Sequence, residues 1–209
     1  MPLDLWLAFV AASTALLLIP GPTVLLVLSY ALSKGRSVAV ASALGVATGD
    51  LVAMTASLLG LGALVMASAT LFTALKWVGA AYLIYLGIRL LRSAPSEGLT
   101  ATKARRDVTA GGVYTHAAIV TALNPKSIAF FIAFVPQFLR PEIPLGPQFA
   151  ILIATFVGLA AFNALAYALL ADKLRSTVGR PKVITGLTRA GGATLVGMGV
   201  ATAILRRPG

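Results

Sequence analysis

Asp50 and Lys126 are ionisable residues that lie near the middle of long apolar stretches. Each is too deep for its side chain to reach a membrane surface easily, and an ionisable residue at that depth is a functional candidate by default. A carboxyl group can gain and lose a proton, so Asp50 is predicted to couple transport to proton movement; its alternative role is to tie helices together. Lys126 can pair with Asp50, bind an anionic group of a substrate, or act as an internal lock without contact to substrate.

Two proline motifs, Pro20-Gly21-Pro22 and Asn124-Pro125-Lys126, interrupt apolar runs near their middle. Proline lacks a backbone N–H and clashes with the preceding turn, so each motif predicts a break in a helix. Inside a membrane such a break is tolerated only where the freed backbone groups are buried in protein or line a polar cavity. Paired breaks of this kind indicate the binding site of a transporter, whereas a plain proline kink is the alternative.

The half-helices that follow the two breaks open near Thr23 and Ser127. Free N–H groups at a helix N-terminus favour an anion such as a carboxylate, and the unwound carbonyls of the break can receive an ammonium group. A zwitterionic amino acid carries both groups. We therefore predict that the residues of the two motifs, together with Thr23 and Ser127, bind substrate.

The composition is that of a polytopic membrane protein. Of 209 residues, 58% are hydrophobic and 11% are charged, whereas a soluble domain is about half apolar and about a quarter charged. The net charge of +11 does not indicate nucleic-acid binding, because the basic residues lie in short connections between apolar runs. Cysteine is absent and His116 is the one histidine, which argues against disulfides, thiol chemistry and a histidine metal site. No catalytic constellation or cofactor motif is present, so we expect neither enzyme activity nor a cofactor.

The apolar runs predict an all-α membrane protein with six transmembrane helices, of which the first and fourth are broken by the proline motifs. Gly60 and Gly62 mark the predicted turn between the second and third spans. Residues 93–114 form a basic linker between two three-helix units, residues 1–92 and 115–209. The predicted spans cover residues 5–33, 38–62, 68–91, 115–139, a fifth run that ends at Leu170, and 185–205.

The distribution of Lys and Arg predicts the orientation in a bacterial cytoplasmic membrane. If the N-terminus lies outside, twelve of the 17 basic residues fall in inner connections, four fall on the outer side, and Lys126 lies within the membrane. Cytoplasmic loops carry an excess of Lys and Arg. Both termini are therefore predicted on the outer, periplasmic side, with the linker in the cytoplasm.

The two three-helix units resemble each other, and three spans in each unit require opposite orientations. Gly45 followed by Asp50 parallels Gly158 followed by Asn163, which makes Asn163 a further candidate for substrate binding. A small-residue pattern in the third span also recurs 112 residues later. An inverted repeat places the substrate site near the bilayer midplane, between the halves.

Other small and polar residues favour structural interpretations. Gly45 and Gly49 form a small-residue face that predicts close helix packing just before Asp50. Such faces also permit a homodimer. His116, at the inner end of the fourth span, is more typical of an interfacial residue than of a proton relay.

These motifs resemble the LysE superfamily of amino-acid exporters, and most closely its RhtB-type branch, which exports homoserine, threonine and related neutral amino acids. The resemblance extends over nearly the whole chain and is carried by residues 20–27, Gly45 to Asp50, 76–83 with Gly87, 123–126 and 134–138. It implies an exporter of the cytoplasmic membrane driven by proton exchange, with the proline motifs and Asp50 central to transport. Thiol-redox relatives need cysteines, and nickel and cobalt relatives are marked by histidines; both are missing here.

The residues and the resemblance together predict a secondary exporter of small neutral amino acids. We expect it to exchange substrate for protons, with amino acid, protons and membrane lipid as its partners. Two alternatives stay open, namely transport of a different small solute and a non-transporting membrane scaffold. The side chain of the substrate does not follow from the sequence, because periodicity does not fix the rotation of all-apolar helices.

Overall fold

The computed structural model describes the chain apart from residues 20, 35–37, 68, 93–108, 141, 172–180 and 205–209. The described residues are helical and contain no β-strand. Pro20 and most of the predicted linker therefore lie outside the described residues. The helices are α1 (Leu3–Leu18), α2 (Pro22–Lys34), α3 (Ala39–Ala67), α4 (Ala69–Arg92), α5 (Ala110–Ala122), α6 (Pro125–Ala133), followed by a 3-10 helix (Val135–Phe138), α7 (Leu145–Leu169) and α8 (Pro181–Ile204).

Among the described helices, two are long and apolar enough to cross a membrane alone: Ala39–Ala63 within α3, and α7. Two more spans are added if each bent pair, α1 with α2 and α5 with α6, is counted as one. Helices α4 and α8 cover the predicted third and sixth spans and are 24 residues long. Length and composition of the described helices thus support two to four spans, and the arrangement of six spans stays a prediction.

Both proline motifs coincide with a break between helices, as predicted. The axis bends by 56° from α1 to α2 and by 45° from α5 to α6. Because proline has no N–H to donate and its ring clashes with the preceding turn, neither α1 nor α5 continues into the helix that follows it. The two breaks place non-helical backbone inside apolar segments of the chain.

Side-chain caps define where α5 and α6 begin. Asn124 caps α6, because its Oδ1 accepts a hydrogen bond of 3.1 Å from the backbone N–H of Lys126. Pro125 is the first residue of α6, a position where a helix leaves the N–H without a partner in any case. Helix α5 starts earlier than predicted because Thr109 caps it, its Oγ1 accepting a bond of 3.2 Å from the N–H of Gly112.

The turn predicted at Gly60 and Gly62 is wrong, since α3 continues through both residues to Ala67. Glycine in a helix interior costs only about 0.5–1 kcal/mol relative to alanine, which an otherwise apolar helix can tolerate. A Cβ atom built on Gly62 would lie 3.4 Å from the ring of Phe149. That is an ordinary van der Waals distance, so a larger residue would also fit there and Gly62 marks neither a turn nor an unusually close contact.

Glycines on α3 bring that helix close to α5. Cβ atoms built on Gly45 and Gly49 would clash with the backbone carbonyl oxygens of Tyr114 and Ala118, respectively. Only glycine allows this approach. The predicted close packing just before Asp50 is thereby confirmed.

Helices α4 and α8 also pack through glycines, in two contacts that mirror each other. A Cβ atom built on Gly87 would lie 2.6 Å from the carbonyl oxygen of Gly192, and one built on Gly199 would lie 2.8 Å from that of Ala80. Gly87 and Gly199 are 112 residues apart in the chain, and so are Ala80 and Gly192. The two contacts are therefore equivalent under the spacing that the sequence repeat predicts.

Aromatic side chains form the core next to the two breaks. Phe9 of α1, Phe130 and Phe131 of α6, and Phe156 of α7 are fully buried. Phe131 and Phe156 meet edge to face with ring centroids 4.8 Å apart, an arrangement that aromatic pairs prefer. This cluster holds α1, α6 and α7 together and so fixes the first break against the second.

Candidate functional site

A small cavity lies between the two helix breaks. Its volume is about 30 Å³, room for about two water molecules, so in this conformation it is closed to a substrate of the size of an amino acid. Pro22 and Pro125 are not among its lining residues and act by opening α2 and α6, whereas Pro20 lies outside the described residues. Seven of the ten predicted site residues line it: Gly21, Thr23, Asp50, Asn124, Lys126, Ser127 and Asn163.

The ammonium group of Lys126 binds the end of α1. Its Nζ donates hydrogen bonds of 3.0 Å to the carbonyl oxygens of both Leu16 and Ile19. Ile19 is the C-cap of α1 and has extended backbone, so its carbonyl has no partner within the helix. A Cβ atom built on Gly21 would lie 3.4 Å from Nζ, so a larger side chain there would crowd the ammonium. The unwound carbonyls predicted to receive a substrate ammonium thus receive that of Lys126.

Two side chains of α7 bind the carbonyl oxygens of Leu17 and Leu18, which lie between those of Leu16 and Ile19. Asn163 Nδ2 donates a bond of 3.1 Å to the carbonyl oxygen of Leu17, and the Tyr167 hydroxyl donates one of 3.3 Å to that of Leu18. Sequence reasoning missed Tyr167, although it follows Asn163 by four residues and so shares its helix face. Together with the bonds from Lys126, four consecutive carbonyls of the first break are satisfied by the second half of the chain.

Asp50 is the acidic group of the cavity. It is only 2% exposed, and none of the described residues donates a hydrogen bond to its Oδ1. Lys126 lines the same cavity. A buried carboxyl oxygen without a donor is costly when charged, so Asp50 is poised either to hold a proton or to accept a cationic partner.

A polar chain joins the two breaks on the other side of the cavity. Asn124 Nδ2 donates a bond of 3.2 Å to Thr23 Oγ1, which lies 3.4 Å from Thr121 Oγ1. Asn124 therefore caps α6 with its oxygen and holds the start of α2 with its nitrogen. Ser127, which is also buried, lines the cavity one turn into α6.

His116 lies away from this cavity. Its Nδ1 is 2.8 Å from the hydroxyl oxygen of Tyr30, and neither residue lines the cavity. His116 is exposed while Tyr30 is buried. The pair joins the middle of α5 to the C-terminal part of α2.

The chain belongs to the LysE type translocator family, which residues 14–206 match. A homoserine/homoserine lactone efflux protein of Salmonella typhimurium is 34% identical over 209 residues, which cover 99% of each chain. A leucine efflux protein of Salmonella choleraesuis is 33% identical over 170 residues, or 80% of this chain and 78% of that protein. An uncharacterized membrane protein of Vibrio cholerae is 33% identical over 201 residues, 96% of this chain and 97% of that protein. No solved structure matches the chain.

These relationships confirm the resemblance that the motifs predicted. The protein is a membrane protein of an amino-acid efflux family, and the relatives' names place it among transporters rather than enzymes. Its substrate and its coupling ion are matters for the proposal below.

Proposed function

We propose that the protein is a proton-coupled exporter of small neutral amino acids across the bacterial cytoplasmic membrane. The observation that carries the proposal is the closed cavity between two helix breaks, which both Asp50 and Lys126 line. Ionisable residues at membrane depth mark substrate and ion pathways. Helices that break at that depth form the binding sites of many transporters.

The groups around the cavity support a neutral amino acid as substrate. Carbonyl oxygens at the end of α1 suit an ammonium, and the positive end of the α6 dipole suits a carboxylate. Val24, Val27 and Val46 line part of the cavity, so a charged substrate side chain would face apolar surface there. Homoserine and leucine, which appear in the relatives' names, are neutral amino acids with both groups, while homoserine lactone retains only the ammonium.

Asp50 is the residue that we propose for proton coupling. Antiport requires that substrate and proton favour different states of one site, so that each drives the release of the other. A carboxyl group beside a movable ammonium can meet this requirement, because it is neutral with a proton bound and charged when the ammonium pairs with it. Asp50 and Lys126 line the same cavity, which supports these roles for them.

We further propose that six spans form two inverted repeats, residues 1–92 and a second unit that starts with α5, joined by a cytoplasmic linker between α4 and α5. The equivalent contacts of Gly87 and Gly199 support this arrangement, and the distribution of Lys and Arg supports periplasmic termini. Movement of one repeat against the other would open the closed cavity to either side in turn.

Transport by the purified protein in proteoliposomes tests the proposal. A panel of labelled neutral, acidic and basic amino acids is offered under an imposed pH gradient, with Asp50→Asn as the matched variant. We expect gradient-driven movement of one or a few neutral amino acids, and its loss in the variant because asparagine cannot release a proton.

Other outcomes separate the alternatives. Movement of no amino acid by folded protein would contradict the proposal and favour a different solute, which a wider panel would identify. Gradient-driven transport that is unchanged in Asp50→Asn would remove the coupling role from Asp50. A folded protein that moves no solute at all would favour the scaffold.

A further inference from the structure

Lys126 occupies the position that a substrate ammonium needs. The carbonyl oxygens of Leu16 and Ile19 each accept a bond of 3.0 Å from its Nζ, and both residues are buried. We propose that these two carbonyls form an ammonium subsite, an inference that rests on the proposed export of amino acids. Lys126 fills the subsite in the closed conformation. The primary ammonium of the substrate displaces Lys126 from it toward Asp50.

The exchange conserves the hydrogen bonds of the subsite. The ammonium of lysine has three N–H donors, and so has the α-ammonium of an amino acid. Either group can therefore satisfy both carbonyls. Carbonyls left without a donor at membrane depth are costly, so the subsite passes from one ammonium to the other and is not left empty. The ammonium of Lys126 therefore takes the place of the substrate ammonium when no substrate is bound.

Asp50 is the place to which the displaced ammonium moves. Within the described part of the chain its Oδ1 accepts no hydrogen bond, and it lines the same cavity as Lys126 of α6. Lys126 is the charged group that faces Asp50 around the cavity; α7 adds the hydroxyl of Tyr167 and the amide of Asn163, and the lining side chains of α1 and α2 are not ionisable.

This movement links substrate to proton. When Lys126 is held by the carbonyls, an unpaired Asp50 is favoured in its neutral, protonated form. When the substrate frees Lys126, the approaching ammonium favours the ionised carboxylate, and the proton leaves Asp50. Substrate and proton thereby exclude each other, which is the reciprocal coupling that antiport needs.

Chemical rescue of Lys126→Ala tests the subsite, with n-propylammonium as the probe because alanine keeps Cβ and this amine reproduces the three carbons and the ammonium that are missing. We expect the purified variant to melt below the wild type, and millimolar n-propylammonium to raise its melting temperature by several degrees. Neither butyrate on the variant nor n-propylammonium on the wild type should do so. A folded variant that the amine does not stabilise would overturn the subsite.

Gln148→Leu is the matched control for rescue. Gln148 is buried, and its Nε2 donates to the carbonyl oxygens of Arg140, Ile143 and Pro144, away from the cavity. Its loss also leaves carbonyls without a side-chain donor, but n-propylammonium should not stabilise this variant. Stabilisation of both variants would show a non-specific effect of the amine and overturn the proposal.

Lys126→Met keeps the experiment decisive if the alanine variant does not fold, because methionine retains most of the apolar stem. The probe is then methylammonium, which we expect to bind the variant about tenfold more tightly than the wild type, the effect of one charge-assisted hydrogen bond. Equal affinities for the two proteins would contradict a subsite that Lys126 occupies.

Proton release tests the link to Asp50 in the wild type. In weakly buffered detergent solution, an amino acid that the transport panel identifies should release protons on binding, and Lys126→Met should bind it without release. Rescue without transport of any amino acid would leave the subsite intact and refute the proposed export. Transport of an amino acid with neither rescue nor proton release would leave the proposed export intact and refute the subsite.

Discussion

Asn163 of α7 and Leu17 of α1 are joined by a hydrogen bond of 3.1 Å, although 146 residues separate them in the chain. The bond is one of a set in which Lys126, Asn163 and Tyr167 donate to the carbonyls of the first break. Backbone that leaves a helix at membrane depth needs such partners. The first break therefore depends on residues of the second half.

Replacing Asn163 by leucine should destabilise the protein. The carbonyl of Leu17 loses its side-chain donor, and a buried polar group without a partner costs about 1–3 kcal/mol. Thermal unfolding in detergent should show a melting temperature lower by roughly 2–4 °C per kcal/mol lost. Tyr114→Phe is the control, because it removes an exposed side-chain bond to Thr48; an equal loss in both variants would contradict the argument.

Replacing Asn124 by alanine should lower both stability and transport. It removes the N-cap of α6 and the bond to Thr23, and loss of an N-cap alone costs about 1 kcal/mol. Asn124→Asp restores the capping oxygen but not the donor to Thr23. Unfolding and initial transport rates of the two variants therefore separate the roles: stability should recover largely in Asn124→Asp, and identical behaviour of the two would refute this division.

Gly49→Ala should impair packing, whereas Gly60→Ala should not. A Cβ atom on Gly49 would lie 2.5 Å from the carbonyl oxygen of Ala118, while one on Gly60 would meet nothing within 4 Å. Overpacking typically costs about 1–3 kcal/mol, and alanine at an open helical site gains up to about 1 kcal/mol over glycine. Melting temperatures should shift in opposite directions. Two shifts of the same sign would show that α3 and α5 do not meet as described.

Asp50→Asn should separate exchange from uphill transport. Asparagine cannot gain or release a proton, but its amide oxygen can accept a hydrogen bond from the displaced ammonium of Lys126, and the carbonyls at Leu16 and Ile19 are unchanged. Exchange of labelled for unlabelled amino acid across a proteoliposome, with no gradient imposed, should therefore persist while pH-driven accumulation is lost. Loss of both, in protein with an unchanged melting temperature, would mean that Asp50 binds substrate rather than coupling it to protons.

The sequence was sufficient to locate the breaks and most of the cavity. Pro22 and Pro125 restrict the backbone wherever they occur, so helix breaks follow from residue type alone. Asp50 and Lys126 lie deep in apolar runs, and an ionisable residue at that depth is a functional candidate whatever the rest of the fold. Seven predicted residues then proved to share one cavity.

Contacts across the fold could not be predicted in the same way. Tyr167 lies in an almost uniformly apolar helix, where no periodic pattern shows which face meets α1. The bonds of Lys126 to Leu16 and Ile19 depend on how α6 packs against α1. The turn expected at Gly60 and Gly62 was wrong because an apolar helix tolerates isolated glycines at a small cost in stability.

The hydrogen-bond acceptors and donors at the first break lie in different halves of the chain, which restricts how these proteins can diverge. The carbonyls from Leu16 to Ile19 belong to the backbone and are present whatever the side chains, but their donors are particular residues more than a hundred positions away. A chimera can join residues 1–92 to the second half of a relative with different residues at 126, 163 and 167. The carbonyls of the first break would then lack their hydrogen-bond donors. The two halves are thus obliged to evolve as one unit.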